Sequence, residues 1–136
     1  MQDTSLAGRT VLVVEDEVLI AMEIVLALEG SGAIVMNAGT LDCATQCVER
    51  EGLSAAVLDF GLHGGDADGL CAWLNERDIP YVLHSGYGSF GDHCHRGVVV
   101  PKPASPLVLV EALVQLLGGR NDGNPSALCQ KSDLRP

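Results

Sequence analysis

Glu15, Asp16, Asp59, Ser85 and Lys102 carry the side chains in this chain best suited to joint chemistry, and each stands at or just beyond the end of a short apolar run. The runs are TVLVV before Glu15 and Asp16, AAVL before Asp59, IPYVLH before Ser85 and VVVP before Lys102. Three carboxylates brought to one place repel one another. A hard divalent cation resolves that repulsion, and Mg2+ favours oxygen ligands in octahedral geometry while keeping several waters. Such a cation also neutralises an incoming phosphoryl group, so that a carboxylate can attack phosphorus. A lysine on a flexible stem can follow the phosphoryl oxygens, and a serine hydroxyl can donate a hydrogen bond to one of them.

For these residues to act together, the elements carrying them must end on one rim. Short apolar runs alternate with amphipathic stretches along the chain, which is the pattern of parallel strands joined by helices. Strands are predicted at Thr10–Val14, Ala33–Ala38, Ala55–Phe60, Ile79–His84 and Val98–Val100, the fourth starting at or just after Pro80. Asp16 is predicted to cap a first helix that runs to about Leu28 and stops at Gly30, and Thr40 to cap a second that ends at Gly52. A third helix carries Ala67, Leu70, Cys71 and Leu74. The last has Ser105 as N-cap, Pro106 in its first turn and Gly118–Gly119 as its stop. Residues 85–97 hold four glycines and no apolar stripe, so a short, frayed or mobile helix is expected there, each interior glycine costing about 1 kcal/mol.

This is an α/β domain, a doubly wound five-stranded parallel sheet of flavodoxin-like type with order 2-1-3-4-5. Ligands of such sheets sit outside the carboxyl ends of the strands, where strand order reverses. The domain is expected over residues 8–119, after an N-terminal extension (1–7) and before a polar tail (120–136) that reads as disordered. With 136 residues the chain suits one core, and 47% apolar residues are enough to build it.

Eighteen acidic against 8 basic residues give a formal charge of −10, which disfavours binding to nucleic acid and to anionic membranes. No apolar stretch is long enough to span a membrane, and residues 1–10 lack the order of a secretory signal, so a cytoplasmic location is expected. The five cysteines are odd in number and contain no CxxC pair. They read as reduced, small apolar residues, not as a disulfide frame. His93–Cys94–His95 reads as solvated loop residues. The first and last helices carry more apolar residues than a core needs, and that excess could form a docking or dimer face.

In order and position, VLVVEDE, AAVLDF, LHSG and PKP resemble the response-regulator receiver domain of two-component signalling, over roughly residues 8–119. The resemblance implies that Asp59 is the phosphoacceptor and that Glu15, Asp16 and Asp59 hold Mg2+ together with the backbone carbonyl of Gly61. It implies that Ser85 and Lys102 stabilise the phosphorylated state, with a cis bond before Pro103. The implied partners are a histidine kinase or histidine phosphotransfer protein and a downstream protein target. The chain would act as a phosphoacceptor that assists its own phosphorylation and dephosphorylation, not as a turnover enzyme, and would work without an attached output domain. It departs from the family at Val99, where an aromatic residue is usual three positions before the lysine, and at His63–Gly64–Gly65 after Asp59. IPYVLHSGYGS is similar to a subgroup of short receivers that lack that aromatic switch and in which the glycine-rich loop is thought to carry the signal.

Each residue also has a plainer reading: Glu15 and Asp16 as acids favoured near a helix N-terminus, Asp59 and Ser85 as turn formers, Lys102 as a loop lysine. Two other functions are weighed beside the receiver reading. An unphosphorylated interaction module would keep the fold without needing the acidic set. A Mg2+-dependent aspartyl phosphatase would normally need a second acid two residues after its nucleophile, where this chain has Gly61.

Overall fold

A computed structural model describes residues 4–50, 52–59, 68–85, 94, 96–101 and 104–120. Among the described residues, five strands and four helices follow one another as β1 (Thr10–Val14), α1 (Val18–Gly30), β2 (Ile34–Ala38), α2 (Leu41–Arg50), β3 (Ala55–Asp59), α3 (Asp68–Glu76), β4 (Tyr81–Ser85), β5 (Val98–Pro101) and α4 (Pro106–Arg120). The strands form one sheet in the order β2-β1-β3-β4-β5, every pairing parallel. That is the predicted topology.

The sequence explains the layering. β3 is buried along its whole length and β1 from its second residue on, as expected of central strands covered on both faces. Alternation along them feeds two apolar clusters. Val11, Val13, Ala55, Val57, Val82 and Val100 face α1 and α4. Leu12, Val14, Ala56, Leu58, Tyr81 and Leu83 meet Ala44, Val48, Leu70, Cys71 and Leu74 from α2 and α3. The first cluster also takes in Leu6, fully buried ahead of β1 and tied in place by its N–H donating to Ser31 O at 2.8 Å. The edge strands β2 and β5 are largely exposed, with Ile34, Val98 and Val99 open to solvent.

Several boundaries differ from expectation for identifiable reasons. Glu17, not Asp16, occupies the N-cap position of α1, with an extended backbone and its carbonyl accepting from Ala21 N–H at 2.9 Å. The turn before it is held by Glu15, whose Oε2 accepts from Glu17 N–H at 3.1 Å. α1 runs through Gly30, and the left-handed residue is Gly32 (φ 96°). A Cβ there would also lie 3.1 Å from the Ala7 backbone, so close approach and dihedral both require glycine. α4 continues through Gly118–Gly119 to Arg120, its last turns anchored by buried Leu113 and Leu117.

Thr40 caps α2 as predicted, its Oγ1 accepting from Cys43 N–H at 3.1 Å. α3 ends in a left-handed residue, Asp78 (φ 55°), with Ile79 N–H returning to Leu74 O at 3.0 Å. Arg77 lies over the Trp73 ring, 3.8 Å from its centroid.

The cysteine reading needs correction. Cys71 on α3 and Cys94 are joined in a disulfide, with Cα atoms 5.2 Å apart, while Cys43 and Cys47 carry free thiols. Cys94 is buried against the α2–α3 cluster and is not a solvated loop residue. Spacing along the chain does not reveal this pair, because it exists only once β4 has carried residue 94 back beside α3. The rest of the expected helix over residues 85–97, the Lys102–Pro103 bond and the tail after Arg120 lie outside the described residues.

On α1, Val18, Leu19, Met22 and Leu26 are exposed, as are Leu107 and Val108 at the start of α4, so the apolar excess predicted for these helices does lie on the surface. Among the described residues, no helix is long and apolar enough to cross a membrane.

Candidate acidic metal and phosphoacceptor site

Parallel strands present the ends of alternate elements at one rim, and the three predicted carboxylates meet there. β1 ends at Val14, and the next residue, Glu15, donates its N–H to Ala38 O at the end of β2 (3.0 Å). This extends the pairing by one residue and fixes where Glu15 and Asp16 leave the sheet. β3 ends at Asp59 itself. Oxygen atoms of Glu15, Asp16 and Asp59 all lie within 4.8 Å of one another. Glu15 and Asp59 are only 3% and 4% exposed, whereas Asp16 is partly exposed.

Such an arrangement is costly for bare anions. Two carboxylates withdrawn from water at this separation repel strongly, and burial denies them the solvent that would screen them. An all-oxygen, all-anionic donor set with one open side suits a hard cation that keeps part of its water shell, as Mg2+ does. The donor chemistry therefore fits the predicted metal.

The other predicted residues divide into those placed and those not described. Ser85 is the last residue of β4, in register with Pro101, the last of β5, and Lys102 is the residue after that. The backbone thus ends both strands at the rim where Asp59 sits. The Ser85 side chain, Lys102 and Gly61 lie outside the described residues. Val99 is an exposed residue of edge strand β5.

His84 was not singled out from the sequence. It is the register partner of Asp59 in the β3–β4 pairing and is buried to 5% exposure. Alternation puts Asp59 on the same face as Val57, and His84 on the same face as Val82 and Val100, which is the face covered by α1 and α4. An imidazole inside an otherwise apolar strand, YVLHS, was the signal that could have drawn attention to it.

A doubly wound sheet of order 2-1-3-4-5 with an acidic pocket at the β1 and β3 ends is the fold of CheY-like response-regulator receiver domains. Three solved structures show the likeness. A CheY-like receiver domain protein from Methanospirillum hungatei JF-1 aligns with TM-score 0.71 at 23% identity, over 81% of this chain and 94% of that one. A receiver protein from Sinorhizobium medicae WSM419 aligns with TM-score 0.72 at 20% identity, over 83% and 97%. The receiver domain of a sensor histidine kinase from Pseudomonas aeruginosa PAO1, solved with a magnesium ion coordinated in its active site cleft, aligns with TM-score 0.70 at 23% identity, over 82% and 99%. No protein-family model and no curated protein matches the sequence.

Proposed function

We propose that this chain is a Mg2+-dependent phosphoacceptor of two-component signalling, with Asp59 as the residue that takes the phosphoryl group. The observation that carries the reading is the convergence of Glu15, Asp16 and Asp59 within 4.8 Å at the rim of a receiver fold, with Asp59 buried at its strand end.

In this reading an oxygen of Asp59 forms the new bond to phosphorus while the bond from phosphorus to a donor imidazole nitrogen breaks, and that nitrogen keeps the electron pair. The donor is a phosphohistidine of a histidine kinase or histidine phosphotransfer protein. Glu15, Asp16, Asp59 and the Gly61 carbonyl hold Mg2+, which when bound supplies positive charge against the incoming phosphoryl oxygens. Glu15 also holds the turn into α1 through the Glu17 N–H, which positions Asp16 beside it. Ser85 donates a hydrogen bond to one phosphoryl oxygen, and Lys102 pairs with another. The chain accepts and loses a phosphoryl group without turning over a substrate, works in the cytoplasm, and signals by changing its affinity for a downstream protein.

Intact mass after incubation with acetyl phosphate tests this reading, with and without Mg2+ and with Asp59→Asn as control. The expected result is one added phosphoryl group that requires both Mg2+ and Asp59. No addition from acetyl phosphate or from a phosphoramidate donor would overturn it and favour the interaction-module reading.

A further inference from the structure

Two chain connections leave the rim of the acidic site. From Asp59 the chain passes to α3 and reaches Cys71; from Ser85 it passes to Cys94. Those two cysteines are bonded to each other across a sequence separation of 23 residues, inside the cluster beneath α2 and α3. The bond therefore ties the segment that follows β4 to α3.

Nearby, Arg96 attaches the same segment to the C-terminal end of α3, Tyr81 attaches β4 to that end, and Gly97 bonds within the segment. Arg96 donates from Nη1 to Asn75 O at 3.1 Å and from Nη2 to Asp78 Oδ1 at 3.2 Å. Tyr81 OH donates to Asn75 Oδ1 at 2.9 Å, and Gly97 N–H donates to Cys94 O at 3.1 Å. The Arg96 and Asp78 side chains are 47% and 71% exposed, so their ion pair contributes little. The covalent bond is the strong member of the set.

The domain has a core of its own beside that bond. Two apolar clusters and a five-stranded sheet already give it a full core, unlike the small, disulfide-dependent domains whose cores are too slight. Both cysteines are buried, at 0% and 1% exposure, so exchange requires the segment bearing Cys94 to lift from α3; among the described residues the exposed Arg96 clamp is what ties it there besides packing.

We propose that Cys71 and Cys94 are a reversible dithiol–disulfide couple, and that its redox state sets how tightly the connection between β4 and β5 is held to α3. The oxidant is a low-molecular-weight disulfide of glutathione type. One cysteine thiolate attacks it and displaces one small thiolate, leaving a mixed disulfide. The second cysteine thiolate attacks the protein sulfur of that bond and displaces the other small thiolate. The protein loses two electrons and two protons and gains one S–S bond; the small disulfide gains both and becomes two thiols. Reduction runs the same steps in reverse. The proposal stands apart from the phosphoacceptor reading, and its test reads no phosphoryl chemistry.

The test equilibrates the full chain in buffers spanning a wide range of reduced to oxidised glutathione, approached from both directions. Acid quenching, alkylation under denaturing conditions and intact mass then count thiols, and peptide mapping locates them. The chain has five cysteines, so the count is expected to pass from five to three within the range, with Cys71 and Cys94 the pair that drops out. Arg96→Ala is expected to speed the approach to equilibrium several-fold. Hydrogen exchange on the two end states is expected to be at least tenfold faster in the reduced protein for the peptide spanning Cys94 and β5, with β1 unchanged. A bond that persists at every ratio, one that never forms, pairing through Cys43 or Cys47, or equal exchange in both redox states would each overturn the proposal.

Discussion

Replacing Asp59 by Asn removes one of three negative charges held within 4.8 Å, and the metal-free protein should become more stable as a result. Two unit charges at that separation repel by about 3 kcal/mol at an effective dielectric constant of about 20. The Glu15–Asp59 pair sets the magnitude, because both groups are buried, whereas Asp16 is partly exposed and water screens part of its share. Residual solvent screening offsets part of the repulsion, which leaves an expected gain of about 1–3 kcal/mol. For a domain of this size that is a rise in Tm of about 4–12 °C. The assay is thermal unfolding followed by circular dichroism, in chelator and again in Mg2+. Mg2+ at ten times its Kd would stabilise the wild-type protein by about 1.4 kcal/mol, and Asp59→Asn, having lost an anionic ligand, should respond less. A variant that melts at or below the wild-type temperature in chelator would refute the electrostatic argument. A variant that gains as much from Mg2+ as the wild type would remove Asp59 from the metal site.

Three further substitutions test the frame that holds the site. Leu6→Ala should destabilise the protein by about 2–5 kcal/mol in urea unfolding, because Leu6 is fully buried in the α1–α4 cluster; an effect under about 1 kcal/mol would mean that the segment before β1 is not part of the core. At Gly97, a Cβ would meet Tyr81 Cε2 at 2.6 Å and Leu83 Cγ at 3.0 Å. Gly97→Ala should therefore cost about 1–3 kcal/mol in the same assay, and a neutral result would show that β5 can shift away from β4. Thr40→Ala removes the acceptor for Cys43 N–H and should cost about 0.5–2 kcal/mol, read as a fall in the urea midpoint with an unchanged slope.

The strands and their order were legible because a buried parallel strand needs a run such as TVLVV or AAVL, and such runs are rare outside that setting. The acidic site was legible for a related reason. Charged residues directly after a fully buried strand fall at its carboxyl end, so once the sheet order is known Glu15, Asp16 and Asp59 must share a rim. Helix ends were harder to place. Asp16 looked like the better cap, yet Glu15 already accepts the Glu17 N–H and so holds the turn one residue later. Gly30 looked like the stop, but it was the approach of Ala7 that fixed the left-handed position at Gly32.

What sequence periodicity cannot supply is contact across the fold. Cys71 and Cys94 look like two small apolar residues until α3 and the approach to β5 are laid side by side, and His84 looks like one polar residue in a strand until register sets it opposite Asp59. These two features meet at one strand. β4 pairs with the strand that ends in Asp59, carries His84 within it, and leads directly into the connection that the disulfide fastens to α3. β4 is thus the strand that joins the register partner of Asp59 to the segment bearing Cys94. Val99 lies on the exposed edge strand and lacks the aromatic ring that could couple β5 to the rim.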